Sequence, residues 1–208
     1  MAEVLYVYAN PKPLEASFTL RLAKAFFDEY KKHHPDDKIV SLDLYKEEIP
    51  FVDEGIMKAW GMIPSSGELT ADEKSKLSRL YELTDQFIRA DKVVIAAPMW
   101  NFSYPPMLKT YIDTILVAGK TFKYTETGPI GLLKDKPVLH IQARGGIYSE
   151  GPMKSMEHAE SYLKDVMNFI GIKNFRTVFC EGVAIDPAKG EDIFNEAAKQ
   201  VVEIAKNF

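Results

Sequence analysis

The sequence predicts an α/β protein in three layers, with helices covering both faces of a five-stranded parallel sheet. Two observations carry this prediction. Five short apolar segments alternate with five segments of helical periodicity, a pattern typical of βα units joined by right-handed crossovers. The composition is even along all 208 residues, and 46% of them are hydrophobic, which is enough for a full core. We therefore expect residues 1–208 to form a single domain.

The first half of the chain begins with a βα unit and a second strand. Residues 4–9 are predicted to form a strand, and residues 17–34 a helix, because apolar side chains recur there at helical spacing. Residues 38–44 form the second strand after a Pro-Asp-Asp turn. Residues 45–69 lack a clear helical period but are rich in large apolar groups, so we expect an excursion that serves as an interface or pocket wall.

The second half continues the alternation of strands and helices. Thr70 and Glu73 match a capping box, which predicts a helix from there to about residue 90. Pro105 and Pro106 suit the first turn of another helix, where a missing amide proton costs little. Residues 119–125 are expected to form a short hairpin or ordered excursion. The other predicted elements are strands at 92–97, 136–143 and 174–180 and helices at 105–117, 155–170 and 187–206, with sheet order 2-1-3-4-5.

Charge and cysteine content narrow the classes of function. A formal net charge of −4, with lysines dispersed among acidic residues, indicates neither nucleic-acid nor membrane binding. Cys180 is the single cysteine and lies in an apolar run, which favours a buried structural thiol over a reactive one. The histidines lack metal-ligand spacing, so no metal site is expected. With no visible signal peptide or membrane-spanning run, we expect a reducing, cytoplasmic setting.

Three loops are expected to meet at the carboxyl edge of the sheet, where open α/β proteins bind ligands. In the first loop, residues 10–19, Ser17 and Thr19 stand at the start of a helix and offer hydroxyl groups to a phosphate. The alternative is that Ser17 is simply a helix cap. No glycine-rich dinucleotide or P-loop motif is present, which argues against a Rossmann NAD site or a nucleotide hydrolase.

The second and third loops carry groups that suit a flat ligand. Pro98 ends a buried strand, and Met99 to Phe102 then combine large apolar faces with a carboxamide, either to hold a planar ring or to plug the helix beneath. In the third loop, residues 143–146, Gly145 and Gly146 let the backbone approach a ligand closely, although Gly-Gly is also common in turns. Together the loops favour one ligand with a phosphate and a flat polar ring, as in FMN.

The chain resembles a known bacterial family in four motifs: A-N-P-K-P leading to S-F-T at 17–19, A-P-M-W-N-F at 97–102, T-F-K-Y-T-E at 121–126 and A-R-G-G at 143–146. It is similar to the FMN-dependent NADH azoreductases, also described as FMN-dependent NADH:quinone oxidoreductases. The resemblance implies a flavodoxin-like three-layer sandwich that binds FMN non-covalently and forms a homodimer with active sites at the interface. It implies ping-pong reduction of quinones to hydroquinones and reductive cleavage of aromatic azo compounds, with no catalytic side chain because flavin N5 carries the hydride.

The resemblance also assigns residues to the site. Tyr124 and Phe169 match aromatic positions that lie over the flavin and bind substrate, contributed wholly or partly by the partner subunit. Asn10 and Ala143 stand where relatives often have serine; Asn10 still donates a hydrogen bond, whereas Ala143 offers only its backbone. The excursion at 45–69 is expected to help build the dimer and the substrate cleft. The expected FMN-binding residues are Asn10, Ser17, Phe18, Thr19, Pro98, Met99, Trp100, Asn101, Phe102, Ala143, Arg144, Gly145 and Gly146.

Two functions of other classes remain as alternatives. A flavodoxin-type electron carrier would bind FMN without turning over a small substrate, and strong acidity would favour it; the net charge is only −4. A receiver-like signalling domain would need a phosphoacceptor aspartate at the end of the third strand, where this chain has Ala97 and Pro98.

Overall fold

Five parallel strands form the central sheet in the computed structural model, which describes residues 1–64 and 67–208. The sheet order is 2-1-3-6-7 in chain numbering, and strands 4 and 5 pair as a separate antiparallel hairpin. If only the five strands of the sheet are numbered, this is the predicted order 2-1-3-4-5. The chain numbering differs because strands 4 and 5 form the hairpin. The strands are β1 (Glu3–Tyr8), β2 (Lys38–Asp43), β3 (Lys92–Ala96), β4 (Phe122–Thr125), β5 (Gly128–Gly131), β6 (Val138–Arg144) and β7 (Phe175–Glu181).

The helices follow the prediction with three differences, one of which is that the last helix begins at Gly190 rather than Pro187, since residues 187–189 form a 3₁₀ turn. A short helix interrupts the predicted excursion, because Asp53 caps it by accepting a hydrogen bond from the Ile56 N–H at 3.1 Å. The fifth helix begins at Glu160 rather than Ser155, since residues 152–156 form a 3₁₀ turn. Residues 65 and 66 of the excursion lie outside the described residues. The helices are α1 (Phe18–His33), α2 (Glu54–Ala59), α3 (Ala71–Arg89), α4 (Pro106–Ile115), α5 (Glu160–Ile170) and α6 (Gly190–Lys206).

Two apolar clusters show that both faces of the sheet are covered. Val4 packs in the cluster that includes residues of α1 and α6, whereas its neighbour Leu5 packs in the cluster that includes residues of α3, α4 and α5. Successive strand residues point to opposite faces, so both must be apolar in a strand covered on both sides. The predicted three-layer architecture is therefore confirmed.

Two ionisable residues of the interior are fully buried, Cys180, as the sequence predicted, and His140. Cys180 is fully buried, and burial raises the pKa of its thiol to about 11, which leaves the thiol protonated and unreactive. His140 is also fully buried, with ring nitrogens 3.3 Å from the Tyr104 hydroxyl and 3.4 Å from the Thr177 hydroxyl. In the parts of the chain that the structure describes, no helix is long and apolar enough to cross a membrane.

Candidate functional site

A cavity of about 170 Å³ lies at the carboxyl edge of the sheet, where the three predicted loops meet. It sits beside β1 and β3, at the point where the strand order reverses. The structure therefore brings the first, second and third loops together. The predicted residues that line the cavity are Asn10, Ser17, Phe18, Thr19, Pro98, Met99, Trp100, Ala143, Arg144 and Gly145, and they are joined by Lys12, Ala16 and Val183.

Hydrogen bonds connect the three loops directly. The Met99 N–H donates to the Ala143 carbonyl at 3.0 Å, which joins the second loop to the third. The Ala143 N–H in turn donates to the Thr19 hydroxyl at 3.1 Å, which joins the third loop to the first. Ala143 thus acts through its backbone alone, in both directions. The loops form one connected wall rather than three independent turns.

The first turn of α1 presents free hydrogen-bond donors to the cavity. Ser17 is the helix cap: its hydroxyl accepts the Leu20 N–H at 3.2 Å and a hydrogen bond from the Asn10 amide at 2.7 Å. Within residues 1–64 and 67–208, the N–H groups of Phe18 and Thr19 have no protein acceptor. Because these donors stand at the positive end of the helix dipole, the cavity suits a phosphate. Ser17 can therefore cap the helix and also belong to a phosphate site, so these two interpretations are compatible.

The second loop ends in a tight turn with a strained residue. Trp100 and Ser103 exchange two backbone hydrogen bonds at 2.9 and 3.0 Å, and Asn101 and Phe102 between them have φ angles of +46° and +69°. Positive φ at both central residues defines a type I′ turn, in which Asn is favoured first and Gly second. Phe102 therefore adopts a left-handed backbone that a bulky residue rarely takes.

Phe102 is held in this conformation from two sides. Its carbonyl accepts the His158 N–H at 3.0 Å, and its ring packs edge-on against Tyr148 with centroids 6.2 Å apart. Asn101 and Phe102 are exposed and lie outside the cavity lining, as does Gly146. A Cβ on Gly146 would lie 3.1 Å from the Tyr148 ring, so the glycine allows close packing at this point. These three predicted residues support the loops or face outward from the cavity.

Arg144 lies at the centre of a buried ion-pair network behind the third loop. Its fully buried guanidinium donates to the Gln142 side-chain oxygen at 2.7 Å and to Glu157 at 2.9 Å, and lies 3.5 Å from Glu181. It also stacks over the Phe179 ring at 3.7 Å. Burial lowers the pKa of Arg144, and the two carboxylates oppose that effect. The side chain holds the loop from the inside.

The carboxylates of this network fix the segment between the third loop and α5. Burial acts to raise the pKa of Glu157, but the N–H groups of Glu160 and Ser161 and the charge of Arg144 outweigh it, so the pKa lies below its ordinary value. Glu181 accepts the N–H groups of Tyr148 at 3.0 Å and Ser149 at 3.2 Å. One buried cation therefore orders backbone on both sides of the loop.

Tyr124 and Phe169, the predicted substrate residues, lie outside the cavity but near each other. Phe122 is buried at the base of the β4–β5 hairpin, with its ring 5.5 Å from that of Tyr124 and 4.7 Å from that of Phe169. The rings of Tyr124 and Phe169 are 74% and 36% exposed. They form one exposed aromatic cluster, which we call the aromatic wall (Phe122, Tyr124 and Phe169).

Lys12, Ala16 and Val183 line the cavity although none was predicted to bind a ligand. Lys12 and Ala16 fall inside the first loop, which was predicted to lie at the carboxyl edge of the sheet, but neither residue was chosen as a candidate. Val183 follows β7, the last strand of the sheet, whose carboxyl end also meets this edge. Counting all loops at the edge, rather than those of unusual composition, would have found it.

The fold and the cavity together define a doubly wound α/β protein with a cavity at the switch point of its sheet. The profile of the family described as Flavodoxin-like fold matches residues 2–205. The chain belongs to this family.

Three relatives illustrate the similarity. An "FMN-dependent NADH:quinone oxidoreductase 3" of Halalkalibacterium halodurans is 50% identical over 211 residues, with complete coverage of both chains. The solved structure of an azoreductase of Bacillus anthracis is 42% identical, with complete coverage of both chains and a TM-score of 0.91. An FMN-dependent NADH-azoreductase of Bacillus anthracis, solved in complex with FMN, is 37% identical, with 99% and 98% coverage and a TM-score of 0.91.

Proposed function

We propose that this protein is an FMN-dependent oxidoreductase that uses NADH to reduce quinones and to cleave aromatic azo compounds. The observation that carries the proposal is the connected wall of three loops around free N–H donors at the start of α1. Relatives with complete mutual coverage bear the names FMN-dependent NADH:quinone oxidoreductase and azoreductase. When bound, FMN supplies the redox chemistry by taking a hydride from NADH and delivering two electrons to the acceptor.

The first loop holds the phosphate end of the cofactor. The N–H groups of Phe18 and Thr19 would donate to phosphate oxygens, and the Asn10–Ser17 hydrogen bond of 2.7 Å keeps the helix start in place for them. Lys12 adds a positive charge at the cavity, since no acidic partner for its ammonium group is found in residues 1–64 and 67–208. These groups are fixed before the ligand arrives, so little ordering is required on binding.

The second and third loops position the flat ring. A cavity of about 170 Å³ accommodates the phosphate end but not a whole flavin, so the ring must extend along Met99 and Trp100. The backbone at Gly145 and Gly146 approaches it without side chains in the way and stabilises negative charge on the reduced ring. Protein groups thereby orient the ring and tune its potential, and no side chain is required to act as acid or base.

A homodimer completes the site. In one chain the ring would be open to water beyond the small cavity, and the aromatic wall stands exposed without lining that cavity. Burying Tyr124 and Phe169 against a second copy would cover the ring of one subunit with the wall of the other and remove apolar surface from water. The exposed Phe51 and Met62 of the excursion extend the apolar surface available to such an interface.

The electron carrier gains no support from the chain. The net charge of this chain, −4, is modest, and the relatives that match the chain over its whole length carry oxidoreductase names. The cytoplasmic location remains a prediction from the single cysteine, which is buried and unpaired.

The purified protein should show the visible absorbance of a flavin, released on denaturation as free FMN. Anaerobic addition of NADH should bleach that absorbance in a 1:1 ratio, and steady NADH consumption with menadione should follow. A variant with Ser17→Ala and Asn10→Ala should retain less FMN, whereas Ser78→Ala, which removes an exposed hydroxyl of α3 far along the chain from the three loops, should retain it fully. Bleaching without turnover of menadione or an azo dye would identify a carrier, and a protein that never takes up FMN would refute the proposal.

A further inference from the structure

A second cavity adjoins the first of the three loops, and it shares Asn10 and Lys12 with the three-loop cavity. It is a groove of about 820 Å³ on the face of the sheet that α1 and α6 cover, between α1 and the edge strand β2. Because α1 packs toward α6, β3 and β6, it leaves the outer strand uncovered on this face. We call this space the edge groove and define it by Tyr6, Tyr8, Phe27, Lys31 and Ser41. Its volume is in the range of small-molecule sites.

The floor of the edge groove is aromatic. Tyr6 and Tyr8 alternate along β1, and their rings stack with centroids 4.8 Å apart and planes inclined by 23°. Phe27 of α1 closes the inner side, with its ring 4.7 Å from that of Tyr6. In register beside the tyrosines, Ser41 and Asp43 of β2 form the outer side. A flat ring laid on the tyrosine pair would therefore meet aromatic surface and a polar edge.

The rim of the edge groove is positively charged although the chain is acidic. Four lysines and two aspartates line it, in a protein of net charge −4. Both aspartates are already paired, Asp28 with Lys24 and Asp43 with Lys46. Lys31, in the last turn of α1, has no acidic partner in the described part of the chain. In those residues Lys12 of the first loop also lacks an acidic partner, so two free cations line the groove, and Lys31 is the one on α1.

The tyrosine hydroxyls do not cancel this charge. Burial raises the pKa of Tyr6, with smaller contributions from Tyr8 and Asp43, and burial likewise raises the pKa of Tyr8. Both phenols therefore stay protonated at neutral pH, and the Tyr8 hydroxyl is engaged with Asp43. The groove combines stacking surface, the neutral Tyr6 hydroxyl and a free ammonium group.

We propose that the edge groove is a second binding site, which takes a planar aromatic anion with its ring on Tyr6 and Tyr8 and its anionic group at Lys31. Aromatic sulfonates and nucleoside monophosphates share this chemistry. The proposal goes beyond the oxidoreductase activity and does not rest on it, because none of these three residues lines the three-loop cavity. Asn10 and Lys12 border both spaces, so neither is a clean position for a test.

Calorimetric titration of the full chain saturated with FMN tests the proposal, with naphthalene-2-sulfonate and AMP as separate probes. We expect saturable binding of at least one probe, which also identifies the class of anion, and no binding of the neutral naphthalene-2-sulfonamide. Lys31→Glu should weaken binding about fivefold or more, since it replaces an attraction by a repulsion. Lys32→Glu makes the same charge change one residue away, at a lysine paired with Glu29, and should leave affinity unchanged.

A second variant and an optical measurement keep the outcome decisive. Tyr8→Leu should weaken binding by removing half of the ring pair, and NADH turnover of all three variants should equal that of the unmodified protein. A probe that binds at the flavin would shift the flavin absorbance in proportion to occupancy. Such a shift, equal affinities for Lys31→Glu and Lys32→Glu, or no saturation by either probe at millimolar concentration would each overturn the edge groove as a site.

Discussion

The strained turn at Phe102 predicts that glycine is more stabilising than alanine at this position, which reverses the usual order of these two residues. Alanine normally stabilises a protein relative to glycine by about 0.5–1 kcal/mol, because glycine has more freedom in the unfolded chain. At a φ of +69°, however, an L-residue with a side chain costs about 1–2 kcal/mol. We therefore expect Phe102→Gly to be more stable than Phe102→Ala by about 0.5–1 kcal/mol, the difference between these two effects.

Comparing the two variants isolates the backbone effect, because both lack the ring that packs on Tyr148. That edge-on contact is worth about 1 kcal/mol, so Phe102→Ala should lose about that much. In Phe102→Gly the relief of strain offsets the loss, and stability should lie near that of the unmodified protein. Urea unfolding at 25 °C and one fixed protein concentration gives the three free energies of unfolding.

The matched control lies on the other side of the same contact. Tyr148→Ala and Tyr148→Gly lose the same ring contact with Phe102. Because Tyr148 has no positive φ, the alanine variant should here be the more stable of the two. If Phe102→Gly proves less stable than Phe102→Ala, the turn is not strained at this residue and the reasoning fails. We also expect Phe102→Gly to retain FMN after dialysis as well as the unmodified protein does, because Asn-Gly favours the same type I′ turn and keeps Trp100 in place; a loss of FMN would show that the Phe102 ring, and not the turn, fixes Trp100.

Three further predictions concern the supports of the site. Arg144→Met should lower the free energy of unfolding in urea by about 3 kcal/mol, because it leaves Glu157 without its cation, and Arg144→Lys should recover part of it. Burial, and secondarily Arg144, lowers the pKa of His140 to about 3, so its contribution is present above pH 6.5 and is lost as the pH falls toward 3. The fall in the free energy of unfolding between pH 7 and pH 5 should accordingly be about 2 kcal/mol smaller in His140→Gln than in the unmodified protein. An equal fall in the two proteins would contradict this. Gly131→Ala places a Cβ 2.3 Å from the Gly171 nitrogen, so the hairpin must shift, raising the KM for menadione while FMN occupancy stays constant; a loss of FMN instead would indicate general unfolding.

The sequence predicted those elements that local interactions determine. The capping box at Thr70 and Glu73 is present with both reciprocal hydrogen bonds, at 2.7 and 3.2 Å, since all of its groups lie within four residues. The α2 helix was missed because six residues are too few to show a helical period. It is fixed instead by the Asp53 cap and by Ile56, which packs against distant Leu80.

The candidate site shows the same division between local and distant causes. Edge chemistry and strand order predicted that three loops would meet, and they do. The role of Arg144 was not predictable, since its partners Glu157 and Glu181 lie 13 and 37 residues further along the chain. Nor was the backbone of Phe102, because its residue type disfavours the conformation that it adopts.

These exceptions share a physical cause that bears on function. A left-handed Phe102 and a fully buried Arg144 are each unfavourable alone, and each persists because hydrogen bonds and packing from other segments hold it in place. Both hold a loop that lines the cavity. Rigid loops of this kind keep N–H donors and ring-binding surfaces in position in the absence of a ligand, so that binding requires little ordering. The features of the site that could not be predicted from the sequence are therefore those that pre-organise it for a flat, phosphate-bearing cofactor.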